Sequence, residues 1–119
     1  MRLPGGNHID RRRRLLPRDY FDPPDAFGFV AGARARPAGG GDATSTMVAQ
    51  IQHDLVLAWR AGGCRPSGAA LGRRFGFSKQ TWSRAMLGQR WMGETLMAAL
   101  LHVLRASARS ANRTAGGSR

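Results

Sequence analysis

Residues 72–84 read GRRFGFSKQTWSR, and this stretch contains the end of one short helical segment and the beginning of another. Gly76 ends the first segment, because glycine readily adopts the left-handed conformation that often follows a helix. Ser78 begins the second, because a serine hydroxyl can accept a hydrogen bond from the first helical turn. The stretch therefore predicts two short helices, at about 68–75 and 79–87, joined by a tight turn.

Two further helices are predicted on either side of this pair, at about 46–61 and 94–106. The first would be capped by Ser45 or Thr46, and Glu94 suits the positive N-terminus of the last. The first helix has Val48, Ile51, Leu55 and Trp59 as its expected inward residues, with Gln50, His53 and Asp54 on other faces. The core residues expected in the central pair are Leu71, Gly72, Phe75, Gly76, Phe77 and Trp82. The fold class is therefore an all-α domain at 44–106, a small bundle of four or five helices.

The regions outside this domain are predicted to be disordered. Residues 1–43 combine proline, glycine and a run of four arginines, and no helical or alternating pattern lasts for a full element. Residues 107–119 form a basic tail that lacks large apolar residues. The DAFGFV patch at 25–30 is interpreted as a short extended or docking segment, or as chance hydrophobic residues in a linker.

A related hypothesis concerns the start of the chain. The expected domain begins almost at Met47, and the residues before it have the composition of disordered sequence. One interpretation is therefore that residues 1–46 do not belong to the native protein.

The composition favours an anionic partner and gives no support to catalysis. Nineteen Lys and Arg residues against seven Asp and Glu give a formal charge of +12 on 119 residues, and eighteen of the nineteen are arginine. Arginine's planar guanidinium suits phosphates and guanine edges. With a single cysteine, three scattered histidines and no phosphate-binding loop, the sequence predicts no enzyme activity, no metal and no cofactor. The apolar run at 96–104 is too short to cross a bilayer, which favours a cytoplasmic protein with no membrane partner.

The helix at about 79–87 is the candidate for contacts with DNA bases. Packing requires Trp82, Ala85 and Met86. The residues left outward are Lys79, Gln80, Ser83 and Arg84. Arginine and lysine match guanine, glutamine matches adenine, and serine adapts to either. A surface helix of this length more often carries an acid, whereas this one carries none.

The string LGRRFGFSKQTWSRAMLG at 71–88 resembles the helix-turn-helix of the Cro and lambdoid-repressor type, called the Xre family, whose usual string is close to LAxxxGVSxxTVSRxxxG. The matching positions are Leu71, Gly76, Ser78, Thr81, Ser83, Arg84 and Gly88. The segment GQRWMGETL at 88–96 is similar to the family's loop into its fourth helix, so the resemblance covers about residues 47–104. It implies a sequence-specific regulator of transcription that binds double-stranded DNA, a repressor of phage, plasmid or bacterial type.

The resemblance also implies roles for individual residues. Those expected at bases in the major groove are Lys79, Gln80, Ser83 and Arg84. Those expected at phosphates are Ser67, Gln89 and Arg90, with Arg60 as a further contact. Arg73 and Arg74 are expected to lie in solvent.

Two residues depart from the family string. Gly72 stands where the family has alanine, and Trp82 stands where it has a β-branched residue. We interpret them as one compensated contact across the turn, in which bulk has moved from position 72 to position 82. A methyl group at position 72 is then expected to clash with Trp82.

The last helix carries two apolar stripes, which is more than one buried face requires. The first stripe consists of Leu96, Leu100 and Val103, and the second of Met97, Leu101 and Leu104. If only the first is buried, the second is exposed and suits a homodimer; the alternative is a core that takes up both. Trp91, just before this helix, is expected to pack on Met97 or to lie against the DNA backbone.

Two other functions remain open at this point. One is a protein-interaction module, such as an antitoxin or a phage adaptor, whose arm at 1–43 binds a protein partner. The other is a non-specific nucleic-acid binder that uses the arginine run and the basic tail. A defined DNA site that is lost on Arg84→Ala at constant salt separates the specific regulator from the non-specific binder.

Overall fold

The described residues of the chain form four α-helices and two short 3₁₀ turns. A computed structural model describes residues 15–38, 42–62 and 66–117. The 3₁₀ turns are Pro17–Tyr20 and Pro24–Ala26, and the α-helices are α1, Ala43–Ala61; α2, Gly68–Phe75; α3, Lys79–Met86; and α4, Glu94–Gly117. All regular structure in these ranges is helical, as the sequence predicted.

The ends of α2 and α3 lie where the capping residues predicted them. Ser67 caps α2 by accepting a hydrogen bond from the Ala70 backbone N–H at 3.1 Å. Ser78 does the same for α3, accepting from the Thr81 N–H at 3.0 Å. Between them, Gly76 ends α2 in the left-handed conformation, with a φ of 88°. These local interactions fix a turn of three residues between the two helices.

The beginning of α1 differs from its prediction. Asp42, rather than Ser45 or Thr46, is the capping residue, and its carboxylate accepts a hydrogen bond from the Ser45 N–H at 2.7 Å. Carboxylates are good caps because they accept from the free N–H groups of the first turn and carry a charge opposite to that end of the helix. The helix consequently begins at Ala43, one turn earlier than expected.

The buried face of α1 was also predicted incorrectly in part. Its buried residues are Ala49, Gln52, His53, Val56 and Trp59. His53, expected on another face, has no exposed surface, whereas Ile51, expected inward, remains 43% exposed. The face is rotated because a second layer of chain, N-terminal to the helix, covers the side on which His53 lies.

That layer is formed by residues 15–38, which the composition predicted to be disordered. Tyr20, Phe21 and Phe27 of this segment are each at least 96% buried. The rings of Phe21 and Phe27 meet edge-on with centroids 5.6 Å apart. The prolines restrict φ and favour tight turns, so the segment can fold without a long helix or strand. Residues 1–14 and 39–41 of the predicted arm lie outside the described residues.

The buried aromatic residues also bear on the hypothesis that the native chain begins at Met47. Gly28 packs so closely on α1 that a Cβ atom there would lie 2.8 Å from Cγ1 of Val56. Phe27 packs on the His53 ring, with centroids 5.8 Å apart. A chain beginning at Met47 would therefore leave the His53 side of α1 without the layer that buries it.

The helix α4 extends through most of the segment predicted as a disordered tail. It continues to Gly117, and only residues 118 and 119 of that tail lie outside the described ranges. Alanine and arginine, which have high helix propensity, make up five of the eleven residues 107–117, and proline is absent from this segment. Although α4 is 24 residues long, neither it nor any other described helix is long and apolar enough to span a membrane.

The two stripes of α4 have different environments. Leu96, Leu100 and Val103 are at least 93% buried and complete the core against α1. Leu101 of the second stripe is 39% exposed, and Met97 and Leu104 are partly buried. Of the two alternatives left open by the sequence, the core fully takes up only the first stripe.

His53 is held in its neutral form by its surroundings. Its Nδ1 accepts a hydrogen bond from the Gly28 backbone N–H at 2.8 Å, which requires that this nitrogen carry no proton. Burial lowers the pKa of the imidazole below its ordinary value, an effect that the Asp54 carboxylate and the Val30 backbone offset only in part. Protonation of Nδ1 would place a hydrogen atom directly against the hydrogen of the Gly28 N–H.

We therefore expect the free energy of unfolding to fall as the pH is lowered through the range in which an ordinary histidine titrates. The unfolded chain takes up a proton on His53 near pH 6.5 and the folded protein does not, so stability present above about pH 6.5 is lost as the pH falls toward the lowered folded pKa. Chemical unfolding between about pH 7 and pH 5 should show a steeper loss for the wild type than for His53→Gln. Parallel profiles for the wild type and His53→Gln would contradict the prediction.

The two phenylalanines of the DAFGFV patch give a direct test of the folded N-terminal segment. Phe27 is 1% exposed and Phe29 is 57% exposed. Phe27→Ala should lower the free energy of unfolding by about 3–5 kcal/mol, the usual cost of deleting a buried ring. Phe29→Ala should cost less than about 1 kcal/mol, in the range of an exposed cation–π contact. Urea unfolding measures both, and equal small effects would show that the segment does not contribute to the core.

Candidate nucleic-acid interface

The helix α3 has one packed face and one polar face in solvent. Ala85 is fully buried and Met86 is 7% exposed, while Trp82 is partly buried. The exposed residues include all four that the sequence assigned to base contacts, Lys79, Gln80, Ser83 and Arg84. Their separations of one, three and four positions keep them within one solvent-facing arc of the helix. The structure thus brings these four side chains together on an uncovered surface.

The C-terminal end of α3 is attached to α1 by the buried side chain of Gln52. Its Nε2 donates hydrogen bonds to the carbonyl oxygens of Ala85, at 2.9 Å, and Arg90, at 3.0 Å. Its Oε1 accepts from the backbone N–H of Met92 at 2.8 Å. One amide therefore fixes both the last turn of α3 and the loop that follows it.

The role of Gln52 was not predicted, although a sequence signal for it exists. It lies three positions after Ala49 and four before Val56, so it occupies the buried face of α1. A glutamine on an apolar face must find hydrogen-bond partners when it is buried. That requirement predicts a structural contact with backbone groups but does not say which ones.

Arg60 also holds the end of α3, which differs from the phosphate contact expected for it. Its Nη2 donates to the Met86 carbonyl at 3.2 Å and its Nε to the Gly28 carbonyl at 2.9 Å. Its guanidinium carbon lies 4.0 Å from the centre of the Phe29 ring. Burial lowers the pKa of the guanidinium, which nonetheless stays charged because an arginine pKa is so high. Arg60 thus connects the N-terminal segment, α1 and α3.

The N-terminal segment packs directly on the turn after α3. Gly88 adopts a φ of 74° there, and a Cβ atom at this position would lie 2.7 Å from the Phe27 ring. The Gly88 carbonyl accepts a hydrogen bond from the Arg18 backbone N–H at 3.2 Å. Gly88 therefore forms the turn after α3 and also allows Phe27, 61 positions earlier in the chain, to approach it.

Trp91 connects the same segment to the loop before α4. Its Nε1 donates to the Leu15 carbonyl at 2.8 Å, and its ring meets that of Tyr20 edge-on at 5.8 Å. Neither expected role, a contact with Met97 or with a DNA backbone, accounts for these bonds. Leu15 and Tyr20 were not predicted as partners of Trp91, because the composition of residues 1–43 predicts disorder.

The predicted pairing of Gly72 with Trp82 is wrong. A Cβ atom on Gly72 would lie 2.5 Å from the Phe77 carbonyl oxygen and 3.4 Å from the Phe77 ring. The glycine that faces Trp82 is Gly68, one turn earlier in α2, where a Cβ atom would overlap the indole ring. Residues four apart lie on one face of a helix. The prediction therefore named the correct face of α2 but the wrong glycine.

Trp82 itself lies in an aromatic cluster that joins α3 to α1 and to the turn. Its ring stacks on that of Phe77 at 5.9 Å and 10°, and it meets Trp59 edge-on at 5.0 Å. Phe77, expected to be buried, is partly exposed, as is Phe75, whereas Leu71 and Gly72 are buried as predicted. The indole thus supplies the bulk that the core needs beneath α3.

The remaining residues assigned to phosphates are at the surface. Ser67, Gln89 and Arg90 are all exposed. The Ser67 oxygen caps α2, which leaves its hydroxyl hydrogen able to donate to an anion. Arg73 and Arg74 are exposed as expected, with the Arg74 guanidinium carbon 5.2 Å from the centre of the Phe75 ring.

The charge of the chain is unevenly distributed along the sequence. Residues 55–119 contain eleven of the nineteen lysines and arginines but one of the seven acids, Glu94. The N-terminal residues 1–54 contain eight arginines and six aspartates, which largely balance. Residues 55–119 therefore carry ten of the twelve excess positive charges, and six of these lie within α2, α3 and α4.

Comparison with known proteins gives no further assignment: no family model, curated protein or solved structure matches the chain. In the part of the chain that the structure describes, no group of three or more His, Cys, Asp or Glu side chains is placed to hold a metal ion. The chemistry available at the α3 surface is therefore that of hydrogen-bond donors and positive charge.

Substitution of the two glycines in α2 tests the packing beneath α3. Alanine favours a helix by about 1 kcal/mol over glycine, yet Gly72→Ala should destabilise the protein because the rigid Phe77 carbonyl is so close. Gly68→Ala should also destabilise it and should change the tryptophan fluorescence by displacing the Trp82 ring. Gly93→Ala is the control, since a Cβ atom there has no neighbour within 4 Å. If Gly72→Ala raises the melting temperature, position 72 does not lie as close to the Phe77 carbonyl as described above.

Proposed function

We propose that this protein is a sequence-specific DNA-binding regulator of transcription, in which α2 and α3 act as a helix-turn-helix and α3 enters the major groove. The observation that carries this proposal is the solvent face of α3. It combines an arginine, a lysine, a glutamine and a serine with no acid, while the opposite face is held rigidly by the core. A major groove about 12 Å wide admits one such helix.

The side chains of this face have complementary chemistry for base edges. The guanidinium of Arg84 can form two hydrogen bonds with O6 and N7 of guanine, and the amide of Gln80 can do the same with N6 and N7 of adenine. Lys79, at the start of α3, suits guanine or a phosphate, and Ser83 lies between Gln80 and Arg84 along the helix. We therefore assign Gln80 and Arg84 to sequence recognition, with Lys79 and Ser83 as supporting contacts.

Positioning on the duplex would come from phosphate contacts at both ends of the motif. Ser67 lies at the N-terminus of α2, where a free hydroxyl hydrogen and backbone N–H groups favour an anion. Gln89 and Arg90 follow α3 and are exposed. Arg60 contributes indirectly, since its bond to the Met86 carbonyl holds the end of α3.

A homodimer remains part of the proposal because of the second stripe of α4. Leu101 is 39% exposed, and it lies four positions after Met97 and three before Leu104, so the three form one apolar strip. A dimer through this strip would bind an inverted repeat. The protein-interaction alternative receives less support, because Phe27 of the expected docking patch is turned into the core.

The proposal is tested by selecting bound sequences from a library of random duplexes at constant salt. We expect one sequence to be enriched and to give a defined footprint. Arg84→Ala should weaken binding to that site by about tenfold or more, since a bidentate contact to a base is worth about 1–3 kcal/mol. Its affinity for random duplex should change much less.

The control is Arg34→Ala, which removes an equal charge from an exposed position in the N-terminal segment. It should leave the preference for the selected site intact. If no sequence is enriched, or if the two variants weaken binding equally on all duplexes, the protein is a non-specific binder or does not act on DNA.

A further inference from the structure

The C-terminal half of α4 has a basic face that none of the contacts described above uses. The residues from 105 to 109 are all exposed, and the last buried residue before them is Val103. The helix continues to Gly117, so 14 of its residues follow Val103, at about 1.5 Å each. The described molecule is correspondingly elongated, with a longest dimension of 66 Å.

The arginines of this extension share one face of the helix. His102, Arg105 and Arg109 are separated by three and four positions, so their side chains follow one another along the same side. In the sequence, Arg113 comes four positions later. Residues 95–119 include no acid, so the positive charge of this face is not neutralised within its own segment.

This face is continuous with the surface next to the turn between α2 and α3. The ring of His102 meets that of Phe75, the last residue of α2, with centroids 6.1 Å apart. The guanidinium carbon of Arg74 also lies near this ring, 5.2 Å from its centre. Phe75 is followed directly by the turn that leads to Lys79. The arginine face of α4 therefore begins beside the C-terminal end of α2, next to the turn that precedes α3.

We propose that this face of α4, carrying Arg105 and Arg109, is a second binding surface for nucleic acid that contacts backbone phosphates beside the site occupied by α3. This inference rests on the proposed function for its location on duplex DNA. Arginine on an exposed helix suits phosphate because its charge releases counterions and its planar fork matches two oxygens. Such contacts add affinity without reading sequence.

The experiment measures binding as a function of salt for the full chain and for the double variant Arg105→Gln/Arg109→Gln, on both the selected site and a random duplex. Each lost phosphate contact should reduce the slope of log K against log salt by about 0.9, so the double variant should lose about 1.8. The loss of affinity should be the same factor on both duplexes, and the footprint should shorten at one edge of each half-site. Both positions are exposed, so the melting temperature should not change.

The matched control is Arg34→Gln/Arg36→Gln, which removes two exposed charges from the N-terminal segment. It should retain the wild-type salt slope. An unchanged slope for the α4 variant, or an equal change for the control, would overturn the assignment of this face. A preference for one sequence that depends on Arg84 but not on α4 would leave the proposed function standing and remove the second surface. A reduced slope without any preferred sequence would support the second surface and would remove the proposed sequence-specific function.

Discussion

The orientation of α3 depends on hydrogen bonds that its C-terminal carbonyl groups accept from side chains of another helix. The final carbonyl groups of a helix have no partners within the helix. Here Gln52 donates to the Ala85 carbonyl, which also accepts from the Gly88 N–H, and Arg60 donates to the Met86 carbonyl; both side chains come from α1. Leaving a buried group of this kind without a partner costs about 1–3 kcal/mol. The two bonds therefore select one position for the end of α3, and the residues on its solvent face are carried to a fixed place.

The same end of α3 explains why the N-terminal segment is folded. Arg60 bonds to Gly28 as well as to Met86, and Gly88 accepts a hydrogen bond from Arg18. Residues 15–38 are consequently a third support of this helix end, beside α1 and the loop to α4. A change in the packing of this distant segment would move the surface that we propose binds DNA.

The parts of this fold that were predictable from the sequence are those set by neighbouring residues. Ser67, Gly76 and Ser78 act within one turn of their own positions, so α2, α3 and the turn between them were predicted within a residue at each end. The exposure of the four α3 residues follows from the same local periodicity. The bonds of Gln52 join positions 33 to 40 residues apart, and no local pattern contains that information.

Composition was misleading where a few residues outweighed the average. Residues 1–43 have the glycine, proline and charge of a disordered chain, yet four aromatic residues between positions 20 and 29 give part of it a reason to fold. The mistaken assignment of Gly72 to Trp82 has a different cause. Gly68 and Gly72 lie on the same face of α2, and they have different neighbours only because they lie at different heights along the helix.

The bond between Trp91 and Leu15 has a consequence for the way in which the protein is made. It joins residues 76 positions apart, so the outer layer of the core cannot close until the ribosome has released the chain as far as Trp91. Until then Tyr20 and Phe27 have no complete binding surface, and the nascent N-terminal segment presents them to the cell. Contacts of such long sequence separation slow folding, because a large loop must be ordered before it is stabilised. The packing of the core is thus completed only after Trp91 has been synthesised, although α2 and α3 contain their own start and stop signals.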